Sequence, residues 1–294
     1  MKQMVLGLEF SKPVVYLFNE SGIGAAEFAA RTAYDSFNSS ENYEITKVND
    51  LINTKNNPLD DETCDYICDS SSINGSKLLS DLAWVHFHHS VLEHINLSYF
   101  LKGTSRGVLQ ELVRHRIASY TVKSTRYTMN PILYAFLASL SLGYPKNSEW
   151  FVNKFISFDA LVTSSVGYNK IEAKCIYDKL FFQLESIGID EFLNSALSKD
   201  NIEIFKKIED SDEMFTSLMK GKSKRNSGDN FKHIVTDNFK VDLMMTVNIR
   251  SLKNFFELRD SGAAYIQIRW LAEEIKKITP IKYLKLIDPK YKGK

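Results

Sequence analysis

The chain has 294 residues, of which 44% are hydrophobic and 25% charged, a composition typical of a globular protein with a sizeable core. Its 37 basic and 36 acidic residues give a net charge of +1, which excludes a globally basic surface for coating nucleic acid. Three cysteines are too few for a disulfide framework and favour a reducing, cytoplasmic compartment, and Cys64 and Cys68 alone cannot complete a four-ligand zinc site.

No segment of the sequence predicts an association with a membrane. The apolar run Met4–Leu8 is too short for the core of a signal peptide and is followed by Glu9. The most apolar stretch, Ile132–Leu142, falls well short of the ~20 residues that a spanning helix needs. We therefore expect neither secretion nor a membrane partner.

The first part of the chain predicts a strand over Val14–Phe18 and an amphipathic helix over Gly22–Phe37. Gly22-Ile23-Gly24, at the start of that helix, resembles the opening of a dinucleotide-binding fingerprint, but Glu27 stands where the third glycine belongs. A tight strand-to-helix turn is the alternative that we favour. Residues 38–62 are rich in Asn, Asp and Ser, which indicates a surface excursion.

The middle of the chain predicts a helix over Lys77–Val85. A strand is predicted over Ile95–Leu101, where alternate residues are aliphatic or aromatic. Thr104 or Ser105 can cap the next helix, which is predicted to run to about Arg116.

The second half of the chain is predicted to be mainly helical. A polar segment covers Ser119–Thr128, and residues 146–219 have the periodicity of a helical insert. Lys220–Asn230 is a charged loop, and residues 231–288 predict further helices that Gly262 interrupts.

Together these patterns predict an α+β fold that is rich in helices, with a mixed or antiparallel sheet flanked by them. We expect a single domain over residues 1–294. Residues 146–230 would form a helical insertion and charged loop within it.

Four of the six histidines lie in one short stretch: His86, His88, His89 and His94. A metal centre would need three or four converging ligands, and the stretch lacks the HExxH spacing. The alternatives are a polar pocket wall that contacts a cofactor, which we favour, and a solvated rim with one buried histidine. We predict no metal site.

The basic segment Lys102–Arg126 holds six lysines and arginines against one acid, Glu111, and so has a local net charge of +5. Such a concentration of charge destabilises the fold by self-repulsion unless an anion offsets it. A guanidinium binds phosphate well because it offers paired N–H donors. We therefore favour one or two phosphorylated ligands over a merely solvated basic face.

The spacing within the basic segment resembles a family signature. Arg114-His115-Arg116 is followed, after seven residues, by Ser124, and the full stretch reads RHRIASYTVKSTRY. This stretch closely resembles the signature of flavin-dependent thymidylate synthases. Two further segments match that family in the same order, HHSVLEH at His88–His94 and VNIRSLKNFFELR at Val247–Arg259. Ala30-Arg31-Thr32 fits as well.

The resemblance covers roughly residues 10–37, 84–145 and 231–275 and leaves out the insert. It implies an α+β fold and a homotetramer whose active sites lie between subunits. FAD would carry a hydride from NADPH, and methylenetetrahydrofolate would supply the one-carbon unit that converts dUMP to dTMP. The partners would be these small molecules and no nucleic acid.

The resemblance also implies roles for individual residues. The residues expected to bind FAD are His88, Ser90, Glu93, Arg114, His115, Arg116, Asn248, Arg250 and Asn254. Those expected to bind dUMP are Glu111, Arg114, Ser124, Thr125, Arg126, Lys232 and Arg259. Arg259 is the expected catalytic residue, because it would contact the uracil edge and favour its ionised N3 form.

Methyl transfer to C5 of uracil needs electron density at that carbon. No cysteine lies in a matched segment to attack C6, so we expect Arg259 to stabilise the enolate-like anion electrostatically instead. The flavin would supply the hydride, because no side chain can. Ser124 has no matched base beside it and is expected to bind the nucleotide rather than to attack it.

Several positions depart from the family pattern. Thr121-Val122 replaces a frequent Asn-Glu pair, Ala33 a frequent serine, and Ala263 an occasional histidine. Lys232 stands where an arginine often binds the dUMP phosphate, and it keeps the charge but loses the paired donors.

Two other functions remain open from the sequence. One is a non-catalytic nucleotide- or RNA-binding module that uses residues 102–126, although Tyr120 and Tyr127 offer few rings on which bases could stack. The other is a flavoenzyme of the same fold that methylates a different pyrimidine.

Overall fold

The structure, a computed structural model, describes residues 2–5, 8–40, 45–46, 77–157 and 166–292. Its strands are β1 (Lys2–Val5), β2 (Leu8–Ser11), β3 (Val14–Glu20), β4 (Asn96–Ser105), β5 (Ala118–Val122) and β6 (Lys240–Asn248). Its helices are α1 (Gly24–Tyr34), α2 (Lys77–Trp84), α3 (Arg106–Leu112), α4 (Thr125–Thr128), α5 (Asn130–Ser139), α6 (Lys146–Ser157), α7 (Val166–Ile187), α8 (Ile189–Ala196), α9 (Lys199–Lys207), α10 (Ser211–Lys220), α11 (Ile249–Arg259), α12 (Ile266–Ile278) and α13 (Ile281–Ile287).

The main sheet has the strand order β3-β4-β6-β5, while β1 and β2 pair with each other. β3 runs antiparallel to β4, with Val14 opposite Lys102 and Glu20 opposite Leu97, and the pairing shifts between Leu17 and Asn19. The antiparallel sheet within a helix-rich chain confirms the predicted α+β class.

Several predicted elements are confirmed. The strand predicted at Ile95–Leu101 is β4, in which Leu97, Tyr99 and Leu101 are fully buried. The strand and helix predicted at the start of the chain are β3 and α1, joined by a turn in which Gly22 has a φ of 79°. This positive φ suits glycine, and β3 pairs antiparallel with β4, so the turn is not the start of the parallel unit that carries a dinucleotide fingerprint.

Four of the described strands were not predicted from the sequence: the pair β1 and β2, and the main-sheet strands β5 and β6. β6 lies within residues 231–288, where the sequence predicts helices, and its buried apolar residues are Val241, Leu243, Met245 and Val247. Their strict alternation is a strand signal that the mixture of Leu and Met obscured. β5 overlaps the polar segment Ser119–Thr128 and buries none of its residues fully, so this stretch has no apolar alternation that would predict a strand.

The helix predicted after β4 is α3, and its predicted cap is confirmed, because Ser105 Oγ accepts from the Val108 N–H at 3.3 Å. The predicted end at Arg116 was wrong. α3 ends at Leu112, since the following residues turn toward β5.

The described chain divides into two compact units. The first, which we call the helical unit, comprises Met1–Lys12, Gly103–Leu109 and Val122–Asp242. Its apolar core joins α5 to the helices between residues 146 and 220, and Phe136 packs against Phe192 with ring centroids 5.4 Å apart. The predicted helices of residues 146–219 are thus present, while their status as an insertion stays a prediction.

The second unit, which we call the sheet unit, comprises Pro13–Lys102, Gln110–Thr121 and Leu243–Lys294. In it α12 packs against β3, and α13 packs against α2 and α11. Two polar contacts support this packing: Tyr99 Oη lies 2.8 Å from Thr279 Oγ1, and Trp84 Nε1 donates to the Lys285 carbonyl at 2.8 Å.

Among the described residues, no helix is both long and apolar enough to cross a membrane. Cys64, Cys68 and most of the surface excursion predicted at residues 38–62 lie outside the described ranges. Cys175, on α7, is a partly buried free thiol. Gly262 lies between α11 and α12, which confirms the predicted break.

Candidate functional site

The start of α11 positions one side of the candidate site. Asn248 caps this helix, since its Oδ1 accepts from the Ser251 N–H at 2.8 Å. The Ile249 N–H donates to the carbonyl of Ile95, the residue before β4, at 3.0 Å. Arg250 and Asn254 lie four residues apart on α11 and so share one face of it.

A cleft of about 480 Å³ opens beside this helix in the sheet unit. It is lined by Glu93, Arg114, His115, Arg116, Ile117, Arg250, Ser251 and Asn254. Arg250 forms an ion pair with Glu93 of the 3₁₀ turn His89–His94. Three guanidinium groups against one carboxylate give the cleft an excess of positive charge, which suits an anionic ligand such as a phosphate or pyrophosphate.

The cleft brings together six of the nine residues predicted to bind FAD. The three that do not line it are His88, Ser90 and Asn248. Asn248 has its side-chain oxygen engaged by the helix cap. His88 Nδ1 lies 2.6 Å from Tyr34 Oη on α1, and Ser90 is exposed on the 3₁₀ turn.

A hydrogen-bonded network surrounds the predicted catalytic residue, Arg259, at the end of α11. Arg259 Nη1 lies 2.8 Å from the Glu111 carboxylate, and its Nη2 donates to the Glu111 carbonyl at 3.4 Å. Its Nε donates to His115 Nε2 at 3.1 Å. Glu111 also pairs with Arg114 at 3.2 Å. Four residues predicted to bind FAD or dUMP therefore contact one another directly.

The environment of His115 keeps its imidazole neutral. Burial lowers the pKa of His115 below its ordinary 6.5, the positive charge of Arg259 lowers it further, and Glu111 partly opposes both. A neutral ring can accept the Arg259 hydrogen bond at Nε2. The ring also packs edge-on against Phe255, with centroids 5.0 Å apart, which fixes its orientation.

Tyr120 on β5 is a structural support that the sequence analysis missed. Its Oη lies 3.0 Å from the Leu112 carbonyl and 3.0 Å from the His115 carbonyl. Burial raises the pKa of Tyr120 to about 12, so the hydroxyl keeps the proton that it donates. Its only sequence signal was an aromatic residue within a short strand-forming stretch.

Four predicted dUMP ligands, Ser124, Thr125, Arg126 and Lys232, lie in the helical unit. Ser124 precedes α4, and Thr125 is buried within it. Arg126 Nε and Lys232 Nζ lie 2.7 Å and 3.3 Å from the two oxygens of one carboxylate, that of Asp229. The sequence analysis placed Asp229 in a charged loop but gave it no role.

The histidine-rich stretch does not assemble a metal centre from the part of the chain that the structure describes. His89 Nε2 lies 3.0 Å from the Ala83 carbonyl, and Glu93 is engaged by Arg250. His86 and His88 are exposed, with ring centroids 6.0 Å apart. None of the four histidines lines the cleft, which only Glu93 of this stretch reaches, so their role as a pocket wall beside a cofactor stays a prediction.

The fold and the cleft define an α+β protein with an arginine-rich site for an anionic ligand. The family described as thymidylate synthase complementing protein matches residues 19–281. The chain belongs to this family. The resemblance stated for the sequence is thereby confirmed.

Individual relatives agree with this assignment. The chain is 28% identical to the flavin-dependent thymidylate synthase of Helicobacter pylori over 209 residues, which cover 70% of this chain and 78% of that protein. It is 29% identical to that of Campylobacter jejuni over 193 residues, which cover 66% and 70% of the two chains.

Solved structures support the fold. A crystal structure of Helicobacter pylori thymidylate synthase X with FAD and dUMP matches 96% of this chain and 100% of its own, with a TM-score of 0.56 and 22% identity. A second structure of this Helicobacter enzyme, also complexed with FAD and dUMP, gives a TM-score of 0.57 at 21% identity.

Proposed function

We infer that this chain is a flavin-dependent thymidylate synthase, which converts dUMP to dTMP by reductive methylation. FAD is its cofactor, and NADPH and methylenetetrahydrofolate are its co-substrates. The observation that carries this conclusion is the match of residues 19–281 to a single family, together with the assembly of that family's matched residues around one cleft.

The residues that line the cleft fit FAD by their chemistry. Arg114, Arg116 and Arg250 offer paired donors for a pyrophosphate, and Asn254 offers an amide for a polar ring edge. When bound, the flavin supplies the hydride that the reaction needs. We propose that Glu93 orients Arg250, with which it forms an ion pair, and that His115 lines the same cleft as an FAD ligand.

We propose that Arg259 contacts the uracil ring of dUMP. Its guanidinium is held on three sides, by His115 and by two oxygens of Glu111, so it needs no reorganisation when charge develops nearby. A fixed cation at the uracil edge stabilises negative charge at N3 and O4, which raises the electron density at C5. Glu111 offsets part of that charge and so tunes the strength of this effect.

We propose that Ser124, Thr125, Arg126 and Lys232 of the helical unit bind dUMP, with Arg126 and Lys232 at its phosphate. Two adjacent cations and a serine hydroxyl are a donor set that suits a phosphate monoester. Lys232 contributes a point charge where a family arginine would contribute a fork, so Arg126 carries the geometric part of the recognition.

The alternative of a nucleic-acid-binding module loses its main support in the structure. Three of the six cations of the basic segment, Arg114, Lys123 and Arg126, form ion pairs with Glu111, Asp242 and Asp229, which offset part of its positive charge. Nor do the relatives carry such a function in their names.

We further propose that the enzyme is a cytoplasmic homotetramer that uses folate at sites shared between subunits. Arg114 is predicted to bind both FAD and dUMP, which suits a site completed by a second chain. Light scattering on the active protein is the test. An active monomer would refute the shared site.

The decisive test of the function is turnover of dUMP with NADPH and methylenetetrahydrofolate. We expect a yellow protein that forms dTMP and releases tetrahydrofolate, because the reducing hydride comes from the flavin. Formation of dihydrofolate, or a colourless preparation that takes up no added FAD, would contradict the proposal. Turnover of another pyrimidine nucleotide in place of dUMP would favour a flavoenzyme of the same fold that methylates a different pyrimidine.

A further inference from the structure

We propose that Asp229 is a positioning residue that organises Arg126 and Lys232 into a receptor for the phosphate of dUMP; this inference rests on the proposed function. Asp229 Oδ2 accepts from Arg126 Nε at 2.7 Å, and Asp229 Oδ1 lies 3.3 Å from Lys232 Nζ. One carboxylate therefore bridges two cations that are both predicted to bind the substrate.

Asp229 contacts Arg126 at Nε and not at the two terminal nitrogens of the guanidinium. A guanidinium has one donor at Nε and a terminal fork of two nitrogens. A carboxylate at Nε fixes the plane of the group and leaves the terminal fork to bind a phosphate with two parallel hydrogen bonds. Lys232, whose side chain is 62% exposed, then adds a mobile point charge beside the fork.

The loop that carries Asp229 is built to approach Arg126 closely. Gly228 is buried, and a Cβ placed on it would lie 2.3 Å from the Thr125 carbonyl oxygen and 2.8 Å from the Arg126 Cα. Both neighbours are backbone atoms that cannot move aside cheaply, so the approach requires glycine. The loop is anchored on its other side by a hydrogen bond between the side chains of Ser227 and Asn130.

This anchoring separates the Arg126–Asp229 pair from an ordinary surface ion pair. Most exposed pairs contribute little, because two long side chains lose entropy when they meet. Here the two backbones are already packed together through Gly228, so less freedom remains to be lost when the pair forms. The arginine is thereby preorganised before the nucleotide arrives.

A positioning role and simple charge counting predict opposite effects of one substitution. Asp229→Asn removes a negative charge beside the phosphate, and charge counting alone predicts tighter binding of dUMP. If Asp229 instead sets the geometry of the two cations, the variant binds dUMP more weakly. A neutral amide cannot hold an arginine and a lysine at once through charge-assisted contacts.

The experiment is calorimetric titration of the FAD-loaded full chain with dUMP and, separately, with deoxyuridine, which lacks the phosphate. We expect Asp229→Asn to raise the dissociation constant for dUMP about tenfold and that for deoxyuridine by less than about twofold. Asp212→Asn is the matched control. It removes one carboxylate from an exposed ion pair with Lys154 at 2.8 Å in the same unit and should change neither constant.

Gly228→Ala gives an independent test, because its added methyl group pushes the loop from Arg126 while every charge is kept. It should show the same selective loss of dUMP affinity. FAD content and melting temperature verify that each variant is folded. Unchanged or tighter dUMP binding by Asp229→Asn, or an equal loss for dUMP and deoxyuridine, would overturn the role of Asp229.

Formation of dTMP by the wild type, measured on the same preparation, separates the two levels of inference. If the wild type forms dTMP and Asp229→Asn binds dUMP normally, the role of Asp229 alone is wrong. If the wild type neither binds dUMP nor forms dTMP, the proposed function fails, and the inference on Asp229 fails with it.

Discussion

Arg259 Nε donates a hydrogen bond to Nε2 of His115, 3.1 Å away, although the two residues are 144 positions apart in the chain. The bond assigns the proton of a neutral His115 to Nδ1, since Nε2 must accept. It joins the Arg114-His115-Arg116 motif to the last residue of α11. The two family-like segments that contain His115 and Arg259 are therefore in direct contact through this guanidinium.

Arg259→Ala should greatly lower the rate of dTMP formation while the protein still folds. Losing one preorganised electrostatic group typically lowers the rate ~10²–10³-fold, and we expect a loss of that size in dTMP formation. Stability should change little, because Glu111 keeps Arg114 as a partner at 3.2 Å. Chromatographic assay of dTMP and flavin absorbance measure the two effects.

Arg259→Lys is the matched control, because it keeps the positive charge but lacks the planar guanidinium. A lysine cannot reproduce the three-sided contacts of the guanidinium, so we expect poor rescue of dTMP formation. NADPH oxidation is expected to continue in both variants without methyl transfer. If Arg259→Ala forms dTMP within a few-fold of the wild type, Arg259 is only a helix-end charge worth ~0.3–1 kcal/mol.

Local sequence predicted those parts of the site that depend on neighbouring residues. The resemblance to the family gave these residues as FAD ligands. Arg114, His115 and Arg116 are contiguous, and helical spacing puts Arg250 and Asn254 on one face of α11, whereas the meeting of the two groups in one cleft is seen only in the structure. The strand β6 was missed because its alternation of apolar residues competes with helix-favouring Leu and Met.

Asp229 and Tyr120 could not be predicted in the same way. The contact between Asp229 and Arg126 joins residues 103 positions apart and depends on a loop that only Gly228 allows to approach. Tyr120 acts through backbone carbonyls, which have no side-chain signature in a sequence. The residues that support a site are therefore harder to predict than the residues that line it.

The lowered pKa of His115 predicts a loss of stability in acid. The unfolded chain takes up the proton near pH 6.5, whereas the folded chain resists it until a lower pH. Stability from this residue is therefore fully present above pH 6.5 and is lost as the pH falls from there toward the pKa of the folded state.

Denaturant unfolding of the wild type and of His115→Gln, at pH values on both sides of 6.5, measures this effect. The difference in stability between the two proteins should be constant above that pH and should shift against the wild type below it. A difference that does not vary with pH would show that His115 titrates normally. Formation of dTMP should fall over the same acid range, because a protonated Nε2 opposes the Arg259 donor.

Tyr120→Phe should loosen the segment that carries the arginine motif. The change removes the hydroxyl that lies 3.0 Å from the Leu112 and His115 carbonyls. The Leu112 carbonyl keeps a hydrogen bond from the His115 N–H at 3.0 Å, so the loss falls on the half-buried His115 carbonyl and should cost about 0.5–1.5 kcal/mol. We expect a lower melting temperature and weaker FAD binding. Tyr144→Phe, at a residue that is 79% exposed, is the control and should change neither quantity.

Arg250→Ala should weaken the binding of FAD. The substitution removes one of three guanidinium groups in the cleft and leaves Glu93 without its ion-pair partner, so the remaining charge is less favourable to an anion. We expect about a tenfold rise in the dissociation constant, measured by flavin fluorescence. Lys174→Ala, which breaks an exposed helix pair with Asp178 at 2.5 Å, should bind FAD as the wild type does.

C5 of uracil can be made nucleophilic by covalent attack at C6 or by electrostatic stabilisation of the ring. In a mechanism that begins with a thiol, a cysteine adds to C6 of uracil and the enzyme passes through a covalent adduct with dUMP. Here Arg259 is proposed to supply the activation electrostatically. None of the three cysteines lies in the motifs that carry the resemblance to the family, which are His88–His94, Arg114–Tyr127 and Val247–Arg259.

The variant in which Cys64, Cys68 and Cys175 are all replaced by serine should therefore fold and keep its turnover of dUMP. Mass spectrometry of the wild type, quenched during turnover, should detect no adduct between a cysteine and the nucleotide. Each single Cys→Ser variant serves as a control if the triple variant is unstable. An adduct in the wild type that disappears together with dTMP formation in one of these variants would show that the enzyme uses a thiol nucleophile, and that Arg259 only assists it.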